Sequence, residues 1–275
     1  MTSAKRVFTG LGGIVGGAIL VALALVALAA PLLAPSDPLN MVARPLTAPL
    51  SDPRFLFGTD HLGRDVFAGL VHGARVSMVV GAAAAAAAIC IGVLVGTTAG
   101  FAGRLADNIL MRITEAFQTV PTFLLALALV SILGASAVNV VIAIAISAWP
   151  PTARLVRAEV LRLRGSDYVD AARLAGRSSI AIAFLEVLPG ALHPVVALIG
   201  ITVGEAILVE SALAFLGLSD PNLVSWGSMI ANGRAQLRTA PYLVIIPGIA
   251  IAVTVLAVSL SGDYLARRLG ITEVT

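Results

Sequence analysis

The stretch "GSDYVDAARLAGRSSIAIAFLEVLPG", residues 165–190, decides how the rest of the chain is read. It opens on carboxylates and arginines around alanines, turns on a glycine and ends apolar, with long apolar runs on either side. Ser166 or Asp167 can cap a helix, and Asp167 and Asp170 place negative charge near its positive end. Tyr168, Ala171, Ala172 and Ala175 recur at helical spacing, which gives a stripe of one aromatic and three small side chains. Gly176 can take the left-handed backbone that ends such a helix. Ser178 or Ser179 can cap a second one, which runs through 180–188 until Pro189 interrupts it. At ~1.5 Å per residue each helix is only ~14 Å long, too short to cross a bilayer. The second is apolar nearly all round and is expected under its own bundle at the membrane face. The first then turns its small side chains outward.

The flanking runs explain the setting. Of 275 residues, 59% are hydrophobic and 12% charged, and the mean hydropathy is +0.99. Soluble domains carry about a quarter charged residues, so the composition is that of an integral membrane protein. A bilayer core of ~30 Å needs ~20 apolar residues as helix, because backbone polar groups in lipid must bond within their own segment. Six stretches meet or approach that length: 10–33, 76–101, 116–133, 138–156, 191–216 and 241–260. The first follows Lys5 and Arg6 and ends in "ALAAP", as a secretory signal does. Its apolar run exceeds the ~7–15 residues of a signal core, so a retained anchor is expected. The fourth is broken at its far end by "AWPP" (Trp149, Pro150, Pro151). Gly12/Gly16, Gly13/Gly17 and Gly92/Gly96/Gly100 fall four apart and allow close helix approach, within the bundle or between subunits. Cys90 is the one cysteine, so no internal disulfide or cysteine cluster exists; it is expected to be a small buried apolar residue.

An even number of spans puts both termini on one side. Of the 18 basic residues, Arg44, Arg54, Arg64, Arg75, Arg234 and Arg238 fall on the other side, leaving twelve with the termini. The positive-inside bias makes that side cytoplasmic, and residues 165–190 with it. The expected organisation is a cytoplasmic N-terminus at 1–9, a first transmembrane helix at 10–33, an extracytoplasmic segment at 34–75, a five-helix core at 76–266 holding the charged loop at about 157–189, and a cytoplasmic C-terminus at 267–275. In the outer segment Arg44, Arg54, Arg64 and Arg75 are matched by Asp37, Asp52, Asp60 and Asp65, as suits a folded element.

"DAARLAG" followed by "LP" resembles the EAA motif of importer permeases of the ATP-binding-cassette type. Asp170, Ala171, Ala172, Gly176, Leu188 and Pro189 match that pattern residue by residue. Asp170 replaces the commoner glutamate, and Glu186 stands where the pattern often has an aliphatic residue. "FGTDHLGRDVFAGLVHGARVSMVVG" (57–81), "LAFLGL" (213–218), "SWGSMIANGR" (225–234) and "APYLVIIPGIAI" (240–251) look like the C-type permease subunit of dipeptide, oligopeptide and nickel transporters. The resemblance implies an all-α, six-transmembrane-helix type I importer permease of the bacterial inner membrane. It implies a B-type permease subunit as heterodimer partner, two ATPase subunits and an extracytoplasmic substrate-binding protein, in contact with membrane lipid and without nucleic acid. The EAA loop would be the coupling helix in a groove of an ATPase subunit. No cofactor is implied for this chain; ATP and Mg would be bound by the partner ATPase subunits.

The residues agree that nucleotide chemistry lies elsewhere. A P-loop needs G-x-x-x-x-G-K-[ST], and the only lysine is Lys5. Asp60, His61, Asp65 and His72 follow no recognised metal-ligand spacing, and capping and loop hydrogen bonding around Thr59–Arg64 is the expected use. His193 reads as structural or interfacial, and no catalytic triad stands out. Glu205 and Glu210 lie in the fifth span, where acids usually face a cavity or a partner. Five residues apart on a helix they point ~140° from each other. Glu205, near mid-span, either lines the translocation pathway or makes a helix-packing hydrogen bond; Glu210, nearer the outer end, either joins that pathway or reaches water. The alternative function is a proton-coupled secondary transporter using Glu205 or Glu210. The missing repeat symmetry argues against it. The outer segment 34–75 and the loop 219–239 are expected, by position, to form the docking face for the binding protein.

Overall fold

The computed structural model describes residues 3–269, with side chains from Gly12 onward; the ends of the expected terminal segments 1–9 and 267–275 lie outside the described residues. Helices α1 (Ser3–Leu28), α2 (Val66–Phe101), α3 (Arg104–Gln118), α4 (Thr122–Leu133), α5 (Ala137–Ala148) and α6 (Pro150–Leu163) come first. They are followed by α7 (Asp167–Leu174), α8 (Ser179–Ala191), α9 (Val195–Phe215), α10 (Trp226–Gly233) and α11 (Tyr242–Arg268). The all-α expectation holds: among the described residues the only β pairing is two isolated bridges.

Helices α2, α9 and α11 are long and apolar enough to cross a membrane alone. The pairs α3–α4 and α5–α6 reach that length only together, bent by 87° and 45°. Hydropathy alone predicts the third span as one helix over 116–133, but Pro121 lies inside it. Proline has no N–H to continue the ladder, so α3 stops and α4 starts afresh. The second bend sits at Trp149, where Pro150 and Pro151 begin α6. Prolines are tolerated there because the first turn needs no donors, so "AWPP" bends the path and the helix resumes to Leu163. Helix α2 has 36 residues, about 54 Å at ~1.5 Å each, well beyond a ~30 Å hydrocarbon core. It starts at Val66, ahead of the apolar run at 76–101, because Asp65 caps it by accepting from Phe67 N (2.9 Å).

Lipid offers no hydrophobic drive for one helix to hide from it, so the bundle is held by close packing. The glycine seams do this within the chain. A Cβ on Gly92 would stand 2.8 Å from the carbonyl oxygen of Trp149, one on Gly96 2.5 Å from that of Ala153, and one on Gly100 2.7 Å from Val160 Cγ1. In α1, a Cβ on Gly16 would meet the Ala257 carbonyl oxygen at 2.8 Å, and one on Gly13 would overlap Tyr264. Gly12 and Gly17 are not crowded in this way. The central core joins Val80, Ala84 and Ala88 of α2 to Val130, Ile144 and Leu213. Cys90, expected to be buried, is exposed on the outer side of α2.

Two contacts show which helix ends share a face. His193 Nε2 lies 3.2 Å from the Leu269 carbonyl, and Gly13 abuts Tyr264. The start of α1, the end of α11 and the α8–α9 junction are therefore at one end of the bundle. At the opposite end residues 34–65 fold without regular structure. Thr59, fully buried, donates its hydroxyl to the Arg44 carbonyl (2.6 Å) and accepts from Thr47 N (2.9 Å). Asp60 Oδ1 accepts from Leu62 N and Arg64 N, both at 2.8 Å, and Tyr242 Oη donates to the Thr59 carbonyl (2.8 Å). The loop hydrogen bonding expected for Thr59–Arg64 is what the structure contains.

Gly96→Val, which forces β-branched bulk against a backbone carbonyl, should destabilise the protein by about 1–3 kcal/mol. Gly17→Val, which meets nothing within 4 Å, should cost little. Thermal unfolding in detergent of the two variants checks the difference.

Candidate functional site

Two features combine chemistry with position: the corner formed by α7 and α8, and the acids of α9. At the corner, Ser166 takes the N-cap backbone position of α7, but its hydroxyl donates to the Leu163 carbonyl (2.5 Å) instead of capping. Asp167 and Asp170 lie in the first turn, and Asp170 accepts from Arg173 at 2.9 Å. The helix ends in a six-to-one closure, with Arg177 N donating to the Ala172 carbonyl at 3.1 Å. Gly176 has φ +77°, and a Cβ placed on it would meet nothing within 4 Å, so the backbone conformation, not space, demands glycine. Ser178 caps α8 by accepting from Ala181 N (3.3 Å).

Pro189 is expected from its residue type to interrupt this second helix, yet α8 runs on to Ala191. Residues Ile182–Val187 form a π-helical stretch, and Leu188 N donates to the Ala183 carbonyl. The wider turn just ahead of Pro189 shifts the hydrogen-bond register where the proline would leave a gap.

Val169 is the buried residue of α7. It packs with Ile182 and Val187 of α8 at a core shared with Val156 and Val160 of α6. The second helix therefore lies under the bundle as expected. Ala172 turns partly inward against this cluster, so the outward stripe is Tyr168, Ala171 and Ala175 with Leu174, which is 91% exposed. Sequence reasoning missed Leu174; its position three residues after Ala171 was the available signal. Leu188 is half-buried and Pro189 exposed at the far end of α8. Glu186, where an aliphatic residue is the pattern, accepts from Arg177 Nη1 at 2.5 Å and clasps the two helices across Gly176. Arg164 donates to the Gly100 carbonyl (2.9 Å) at the end of α2. Arg157 pairs with Asp107 of α3 through two hydrogen bonds.

In α9, Glu210 is 3% exposed and does not reach water. Its Oε2 accepts from Ser77 Oγ and Ser211 Oγ, both at 3.3 Å, and Ser77 Oγ accepts from Trp226 N (3.2 Å). The cause is α10: Trp226 is buried between α2 and α9, closing the end through which Glu210 would reach water. Part of the loop 219–239, expected as a docking face, is thus packing inside the bundle. Glu205 is exposed, on a stripe with Ile201 and Leu208 that nothing among the described residues covers and that ends at Phe215, under the Arg234 guanidinium. The two acids do diverge, and they form no common site.

A model of the family described as "Binding-protein-dependent transport system inner membrane component" matches residues 75–271, which include the corner, both acids and α11. The chain belongs to this family. It is a multi-pass membrane permease subunit of ATP-binding-cassette transport, and that sets aside the proton-coupled carrier. It is 40% identical over 249 residues (88% of this chain, 82% of the relative) to the di/tripeptide transport system permease protein DppC of Pseudomonas aeruginosa. It is 43% identical over 254 residues (92% and 86%) to a probable peptide ABC transporter permease protein of Sinorhizobium fredii. To the glutathione transport system permease protein GsiD of Pectobacterium atrosepticum it is 38% identical over 213 residues (77% and 71%). Its fold matches a chain of the MetNI methionine ABC transporter in an inward-facing conformation, with TM-score 0.60 at 18% identity over 74% of this chain and 97% of that one.

Glu210→Leu removes a buried acceptor from two hydroxyls and should lower stability by about 1–3 kcal/mol, whereas Glu205→Leu should not. Comparing the unfolding temperatures of the two purified variants with the parent tests the assignment.

Proposed function

We propose that this chain is one of two membrane subunits of an importer of short peptides, driven by separate ATPase subunits that bind ATP and Mg. The α7–α8 corner is the piece through which their closure enters the membrane. The observation that carries this reading is the exposed yet ordered corner: Leu174, Ile180 and Leu185 are 91%, 75% and 65% exposed on helices fixed by a glycine turn, a cap and the Arg177–Glu186 clasp. Exposed apolar side chains on a frame held in this way fit a partner surface. Asp170, Ala171, Ala172, Gly176, Leu188 and Pro189 are assigned to that contact. Peptide is the substrate class because relatives of 40% and 43% identity carry peptide transport in their names.

The corner end is assigned to the cytoplasm, with both termini, and six crossings follow from α1, α2, α9, α11 and the two bent pairs. Arg154, Arg157, Arg162, Arg164, Arg173 and Arg177 all belong to α6 and the corner, as the positive-inside bias requires. The uncovered Glu205 stripe is assigned to the B-type permease and the pathway between the two subunits, since an acid facing hydrocarbon at that depth costs on the order of 3 kcal/mol. The outer segment is left to the extracytoplasmic binding protein.

Ala171→Trp adds bulk on the exposed face without disturbing the fold, and Gly176→Asp strains the turn by about 1 kcal/mol. In the reconstituted transporter both should abolish peptide uptake while the subunits still assemble; unchanged uptake would overturn the reading. Glu205→Gln should alter the uptake rate with normal assembly, measured in the same vesicles, whereas identical kinetics would remove Glu205 from the pathway.

A further inference from the structure

At the end of the bundle away from the corner, the outer segment and the loop 219–233 enclose a cavity of about 360 Å³. That volume is within the range of small-molecule sites, roughly 300–1,000 Å³. Asp60, Asp65, Asp220 and a single cation, Arg64, line it, above apolar side chains that include Val224 and Leu243. The carboxylates are held by their own loops through one oxygen each. Asp60 Oδ1 accepts from Leu62 N and Arg64 N at 2.8 Å, Asp65 Oδ1 from Phe67 N at 2.9 Å and Asp220 Oδ1 from Asn222 N at 2.9 Å. Among the described residues Oδ2 of Asp60 and of Asp220 makes no hydrogen bond, and Arg64 forms no ion pair. Arg64 Nε is buried and has no partner among the described residues.

A buried donor without an acceptor, on a side chain that lines a space shared with carboxylates it does not pair with, is costly unless something supplies the missing partner. Burial pushes the Asp65 carboxyl above the usual carboxylate range, against the pull of the Phe67 and Ala68 N–H groups; a cation beside it would offset that. A metal ion does not fit, because among the described residues no three carboxylates or other ligands converge as a metal site would need. Charges of both signs, set apart around one volume, fit a ligand that carries both.

We infer that this cavity binds a short zwitterionic peptide, its free ammonium group at the Asp60, Asp65 and Asp220 side and its carboxylate at Arg64. The biological role of the site rests on the peptide-import reading; the binding itself does not. A second, narrower cleft shares Ser219, Asp220 and Leu223 with the cavity and touches Glu210, so the site adjoins the polar contact that holds α10 to α2 and α9. The site belongs to the permease chain alone and is separate from the exposed stripe of α9.

The test uses the transporter purified with its partner membrane and ATPase subunits in nanodiscs, without binding protein or nucleotide, and labelled dialanine as probe in equilibrium dialysis. Saturable binding is expected, competed by dialanine but not by N-acetyl-dialanine. Asp220→Asn keeps the acceptor for Asn222 N and should weaken binding about tenfold. Arg64→Gln should weaken dialanine similarly and leave competition by dialanine amide unchanged. No saturable binding, equal binding by the parent and both variants, or equal competition by the acetylated peptide would each overturn the inference. Uptake of dialanine by the complete transporter with its binding protein is measured alongside. Uptake without specific binding removes the site and keeps the importer reading; binding without uptake keeps the site and removes peptide as the cargo.

Discussion

Two helices in lipid gain nothing by hiding apolar surface from one another, so what fixes their distance is how close the backbones come and which polar groups they share. Here that constraint is the approach of α2 to α6 along Gly92, Gly96 and Gly100, which places one backbone against the carbonyls of Trp149 and Ala153. The seam continues past its last glycine as Arg164 reaches the Gly100 carbonyl, and Arg157 carries it sideways to Asp107 of α3. The corner is built on α6 and shares its core. A side chain in the seam would move α6 out from α2 and would take Arg164 and the α7–α8 corner with it.

Much of this was legible in the sequence, and for identifiable reasons. Apolar run lengths mark the spans because the bilayer imposes one length on any helix that crosses it. The corner was legible because caps and left-handed glycine are local: Ser178 and Gly176 do what their residue types do anywhere. What escaped was set at a distance. The depth of Glu210 depends on Trp226, which returns from another part of the chain to cover it. Glu186 looks like a departure from a pattern because its partner, Arg177, lies across a turn. The path of α8 through Pro189 needs a π-helical stretch that no residue type announces. The third span differs in its path: Pro121 was in plain view, but hydropathy is blind to direction, and the 87° bend is a matter of direction.

The outer segment shows the same division. Its even balance of arginines and aspartates suggests a folded element, and the carboxylates do serve the fold, yet chiefly through backbone amides. Only Asp52 pairs with an arginine, Arg54, within that segment. A charge count cannot distinguish an aspartate that caps a turn from one that pairs with an arginine, so it does not reveal that Arg64 lines a cavity with its Nε unmatched among the described residues.

The stiffness of the corner follows from where its stabilisation comes from. A helix of eight residues is far below the ~12–15 at which isolated helices become even marginal, so α7 cannot persist on its own propensity. Its order comes from Val169 beneath it, from closure at Gly176, and from the Arg177–Glu186 pair. That pair is half-exposed on the arginine side, 52% against 31% for the glutamate, and pairs of this kind contribute about 0–1 kcal/mol. Its effect is therefore less on stability than on the angle between α7 and α8. The residues that fix the corner point inward or across the turn, while Tyr168, Ala171, Leu174 and Ala175 contribute little to its folding. A surface whose shape is determined by residues other than those it presents can change its contacts without losing its fold, and a displacement of it would pass first to α6, with which it shares a core, and then along the glycine seam to α2.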